Sequence, residues 1–365
     1  MIPMILPAMQ FFKKEKFYAF LFLVVIAIYA SMWFWPDKNA KEDAKDTPAV
    51  QAFHKAEERL QSKMQKGGAL ADYLKAHPEL EAVFIGLSFL IAFALTAGLV
   101  IDYFIFFKPG WRSQFAFDAR PPSRMDGKLS MIFKVVLLFI TGSYLLGGIL
   151  GLIRRYLFPA GDLNFNLLLH TFIMDFLCLF FVLHVVQKEG GTRRDLGLSV
   201  PSNSIPTELA VGWGGYAAIL PVFGLCLVAL IGIAQIFHYE PSPHPLVNVF
   251  LEEENRSPYL ISFSIFLATA YGPIFEEVFF RGFCYQVFKR RFGIFPAMLI
   301  SAAFFALIHA NTFAFWPIFI LGLALAWLFE KRGSLLPGII LHVTHNTIFI
   351  TYFFLAKKIV QQAAG

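Results

Sequence analysis

Charge is what this chain has least of. Asp, Glu, Lys and Arg make up 15% of its 365 residues, against roughly 25% in an ordinary soluble domain. Cysteine is scarce as well. Cys178, Cys226 and Cys284 are an odd number, lie in or beside apolar stretches, and show no metal-ligand spacing. That excludes a disulfide framework and leaves them as small buried hydrophobes. Strict apolar–polar alternation is missing, which excludes lipid-facing barrel strands. Neither a fixed-period repeat nor a low-complexity tract is present.

What the chain has in plenty is apolar side chain, 57% in all, with 44 phenylalanines. Apolar runs of about 20 residues recur along most of its length, enough to cross a bilayer as helices. Helices satisfy their own backbone in lipid. The expected fold class is therefore all-α, a polytopic membrane helix bundle of about nine transmembrane helices. They are predicted near 17–35, 82–107, 130–153, 165–186, 210–237, 259–288, 296–310, 315–329 and 335–356. The net charge of +6 comes from short Lys/Arg segments between these runs, as membrane orientation requires. It points to lipid as a partner and not to nucleic acid.

Four regions follow from this pattern. Residues 1–35 read as a retained signal-anchor helix, because Lys13, Lys14 and Lys16 precede an apolar stretch too long for a cleaved signal. Residues 36–81 are a polar extramembrane segment: PDKNAKEDAKD resembles a linker, and an amphipathic surface helix follows, capped off at Gly67-Gly68. Residues 82–164 supply accessory membrane helices, and residues 165–356, the C-terminal half, hold the remaining apolar helices. Basic loops at 108–128, 188–194, 289–291 and 331–332 contrast with Glu240 and Glu252-Glu253-Glu254 in loop 238–258. With the basic loops inside, the N-terminus is cytoplasmic and the C-terminus outside. Arg154-Arg155 and Lys357-Lys358 fall on the wrong side of that topology. The expected location is a bacterial inner membrane.

Charged groups at bilayer depth usually face the protein interior and mark function. The last four predicted helices hold a set of them. Helix 259–288 carries Glu276, Glu277 and Arg281. Helix 296–310 has Phe305 and His309 four apart, and helix 335–356 has His342 and Asn346 four apart with His345 between. Glu277 and Arg281 lie ~40° apart on one helical face and can pair, whereas Glu276 points ~100° away from Glu277. One carboxylate is then neutralised by its own helix and the other faces elsewhere. Gly272-Pro273, just ahead, is expected to kink the helix and admit water. At ~1.5 Å per residue, Glu276 lies ~18 Å, His309 ~20 Å, Asn346 ~16 Å and His342 ~10 Å from the cytoplasmic ends of their helices. Comparable depth on antiparallel helices predicts one shared cavity, open to the cytoplasm.

One carboxylate, two imidazoles and an amide suit peptide-bond hydrolysis. The carboxylate can take a proton from water, and imidazole and amide N–H groups can hold the oxyanion. Alternatively, Glu276, His309 and His342 form a His₂Glu set of the kind that ligates catalytic zinc. The residues alone leave both chemistries open. His345 reads as structural or supporting, and Asp102, His170, Asp175 and His184 as packing or snorkelling groups.

EEVFFR (276–281), FALIH (305–309) and HVTHN (342–346) resemble, in order, the EExxxR, FxxxH and HxxxN motifs of the CPBP family. That family comprises CAAX prenyl endopeptidases and bacteriocin-processing or self-immunity (Abi) membrane proteins. Gly282 after the arginine looks like the family's FRG, and RRDLGLS (193–199) resembles a loop preceding its core. The likeness spans about residues 165–356.

It implies an intramembrane endopeptidase acting on a membrane-associated peptide or protein, in one branch a prenylated CAAX chain. Glu276 would activate water, His309 would help position it, and His342 and Asn346 would stabilise the oxyanion. Glu277 and Arg281, with Phe305, would support the geometry. The family is described both as metal-dependent, which would make zinc the cofactor, and as metal-independent glutamate proteases. Two rival classes are a non-catalytic immunity or scaffolding protein of the same fold and a proton-coupled transporter. The second gives no reason for an amide beside the last histidine.

Overall fold

The computed structural model describes residues 11–34, 48–65, 74–108, 127–158, 163–199, 204–239, 247, 249–251 and 257–364. The linker at 36–46, the Gly67-Gly68 cap, and most of loops 108–128 and 238–258 lie outside the described residues. Among those described, regular structure is helical throughout. In chain order the elements are α1 (Lys16–Phe34), α2 (Pro48–Gln65), α3 (Pro78–Phe107), α4 (Leu129–Leu157), α5 (Leu163–Lys188) and α6 (Ile205–Phe237). There follow α7 (Pro258–Phe292), α8 (Ile294–Ile308), α9 (Phe315–Arg332) and α10 (Leu336–Ala364).

The chain is an all-α polytopic membrane protein. Among the described residues α3 to α7 and Leu336–Gln361 of α10 make six helices long and apolar enough to span. That is fewer than the nine expected. Lys16–Ser31 and Ile294–Ile308 are apolar but shorter, and α9 carries Glu330, Lys331 and Arg332 in its last turn. Helix α3 starts four residues earlier than its apolar run. Pro78 suits a first helical turn and Glu79 and Glu81 suit its positive end.

The chain divides into two compact units, each made of three separated stretches. The first takes Met1–Lys45, Pro121–Ser199 and Ile274–Ile300. In it α1 packs on α4 and α4 on α5, with Tyr18, Leu21 and Val25 of α1 buried against Leu137. Lys134 of α4 is buried and reaches Glu15 at 2.9 Å and Glu189 at 3.7 Å, tying the start of α1 to α4 and to the end of α5. Its hydrogen bond holds the Glu15 carboxyl below its ordinary range.

The second unit takes Asp46–Arg120, Val200–Pro273 and Ser301–Gly365. Here α6 is the hub, packing against α3, α9 and α10, and amphipathic α2 lies against α10. Gly212 of α6 lets α10 close in: a Cβ there would stand 2.8 Å from the Pro337 carbonyl oxygen. Buried Glu208 pairs with Arg332, fastening α6 to the end of α9. Lys357, which looked like a misplaced loop charge, is buried and donates to the Phe250 carbonyl at 3.3 Å. It is thus a packing group, not a topological signal.

Candidate active site

The acidic pair sits on α7, and α7 is not a uniform α-helix. Two π-helical stretches, Leu267–Tyr271 and Val278–Tyr285, flank a short α-helical piece, Gly272–Glu277. Wide turns of this kind cluster at functional sites. Pro273 falls in the α-helical piece, directly after Gly272 at its start.

In the first unit, Arg281 and Glu277 approach to 2.9 Å with both side chains fully buried. Taking away one partner of such a pair strands a buried charge, at a cost of about 3–5 kcal/mol. Glu276 is half-buried and lies within electrostatic range of Arg281 and of Asp175 on α5. Sequence spacing alone gave Asp175 only a packing role, since nothing in it links α5 to α7. His170 holds α5 to α4 through the Ser143 carbonyl at 3.0 Å. His184 stacks on Phe180 of its own helix.

In the second unit, α8 stops at Ile308, so His309 lies in a turn and not inside the helix as expected. The reason is local. The N–H groups of His309 and Ala310 bond three residues back, at 3.3 and 3.1 Å, and Ala310 takes a left-handed φ of 48°. The His309 ring then caps its own helix, with Nδ1 2.8 Å from the Phe305 carbonyl. A carbonyl only accepts, so Nδ1 carries the proton, and in the neutral ring Nε2 keeps its lone pair.

Phe305, itself buried, stands edge-on to both imidazoles. Its ring centroid is 5.0 Å from that of His309 and 5.7 Å from that of His342. His342 is 3% exposed. The structure therefore brings both motif histidines to one phenylalanine. Four residues along α10, Asn346 donates through Nδ2 to the Ala268 carbonyl of α7 at 2.8 Å. His345 turns to α6, stacked on Phe223 at 5.3 Å and edge-on to Tyr216 at 6.0 Å. That is a packing environment.

Among the described residues no three His, Cys, Asp or Glu side chains cluster as a metal site requires.

Residues 258–348 match the family model described as type II CAAX prenyl endopeptidase Rce1-like. By that segment the chain is similar to the CAAX prenyl endopeptidases. The match runs from the start of α7 into α10 and takes in EEVFFR, FALIH and HVTHN. No curated protein and no solved structure matches. The match covers about a quarter of the chain, and helices α1 to α6 lie outside it.

Proposed function

We propose that the chain is a member of the CAAX protease family and an intramembrane endopeptidase that hydrolyses a peptide bond near the C-terminus of a prenylated CAAX-type chain. Glu276, His309, His342 and Asn346 act together in it. The Glu276 carboxylate takes a proton from water as the water oxygen attacks the scissile carbonyl carbon. The Nε2 lone pair of His309 accepts a hydrogen bond from that water and orients it. His342 and Asn346 donate to the oxyanion of the tetrahedral intermediate. As the C–N bond breaks, Glu276 returns its proton to the leaving amine. Glu277 and Arg281 neutralise one another and fix the helix beside the reacting carboxylate. The site opens to the cytoplasmic side, with the N-terminus cytoplasmic, in a bacterial inner membrane.

The observation that carries this reading is the family match across all three motifs. The tautomer of His309 supports the water-orienting role. A buried site is also most accessible to a chain already anchored in the bilayer. The test is incubation of purified protein in lipid nanodiscs with a farnesylated peptide ending in a CAAX sequence, followed by mass spectrometry. Release of the terminal tripeptide by the wild type, and its loss by a factor of roughly 10²–10⁴ in Glu276→Ala, is the expected result. An intact peptide with both proteins favours a non-catalytic scaffolding role.

A further inference from the structure

The wide turn ahead of the acidic pair has an unpaid carbonyl. The N–H of Gly272 bonds to the Leu267 carbonyl, a step of five residues. The same step from position 273 would reach Ala268, but residue 273 is proline and has no N–H. Its carbonyl is therefore left without a helical donor at the point where the helix changes register. The donor that arrives comes from another helix: Asn346 Nδ2, at 2.8 Å. An unsatisfied backbone carbonyl in a membrane helix is costly, so this bond matters more than one at the protein surface.

We infer that Asn346 has a second, positioning role, in which its carboxamide replaces the missing Pro273 N–H and pins the π-turn Leu267–Tyr271 to α10. Nδ2 bears two N–H groups. One is committed to Ala268, and that commitment fixes the direction of the other. The same bond holds in register the turn that leads, three residues after Pro273, into Glu276. This deepens the protease reading and its catalytic arm rests on it; the stability arm does not.

The experiment is a double-mutant cycle in Asn346→Ala and Pro273→Ala, read in nanodiscs by thermal unfolding and by kcat and KM on the farnesylated peptide. Alanine at 273 restores a backbone N–H that can reach the Ala268 carbonyl. Asn346→Ala is expected to lower Tm by about 2–4 °C or more and to reduce kcat at least tenfold with little change in KM. Adding Pro273→Ala to Asn346→Ala should recover most of the lost Tm and part of kcat. Pro273→Ala in the wild-type background should raise Tm by much less, since Ala268 already has its donor. Asn346→Asp keeps the shape without the donor and should behave as Asn346→Ala does. The inference is overturned if Asn346→Ala leaves Tm unchanged, or if Pro273→Ala shifts Tm equally in both backgrounds. If the wild type cleaves nothing, the protease reading fails while the Tm cycle still decides the role of Asn346.

Discussion

Two prolines inside membrane helices of the second unit create the same problem and solve it differently. In α6, Pro221 removes the donor that would ordinarily serve the Ala217 carbonyl four residues earlier. That oxygen faces Gly98 of α3, where a Cβ would overlap it. The helix stays α-helical through Pro221, and a neighbouring backbone packs in for want of a side chain. In α7, Pro273 follows a change to π-helical register, and its stranded carbonyl is met by the Asn346 carboxamide. The first solution uses the smallest residue and carries no chemistry. The second uses a polar residue of a motif that spans 342–346. At α7 the carbonyl receives a side-chain donor from another helix.

The comparison sharpens when a buried charge is added to it. Arg281→Ala removes one partner of the fully buried pair with Glu277 and should cost about 3–5 kcal/mol, seen as failure to accumulate folded protein or as a large drop in nanodisc Tm. Gly98→Leu tests the tight helix crossing. Overpacking there should cost about 1–3 kcal/mol while turnover per folded molecule stays at the wild-type level. The smallest effect concerns the rim of the first unit. Glu15 is held below its ordinary value of 4.5 chiefly by its hydrogen bond to Lys134. A depressed carboxylate contributes stability above its unfolded value and loses it as pH falls through its folded value. Tm should therefore show an extra decline below pH 4.5 in the wild type that Glu15→Gln lacks.

Much of this was legible in the residues. The apolar runs gave the helices, because lipid leaves no other way to satisfy the backbone. The i, i+4 spacing of Glu277 and Arg281 gave their ion pair, which persists although α7 turns π-helical beside it. Other features were not legible from helical periodicity. The end of α8 at Ile308 depends on a left-handed Ala310, a conformation that alanine does not advertise. The burial of Lys357 depends on a carbonyl 107 residues away. The link from Asp175 to Glu276 crosses from α5 to α7, and single-helix geometry carries no such term. Pro273 stands five residues after Ala268, and a proline in a membrane helix always implies a carbonyl in need of a donor.

Adjacent glutamates with opposite duties are the core of this account, and isosteric amides at both separate them. Glu276→Gln and Glu277→Gln would be compared for folded yield and for tripeptide release per folded molecule. Glu276→Gln should fold like the wild type and turn over at least a hundredfold more slowly, whereas Glu277→Gln should lose folded protein. A Glu276→Gln protein that cleaves at the wild-type rate would contradict the account.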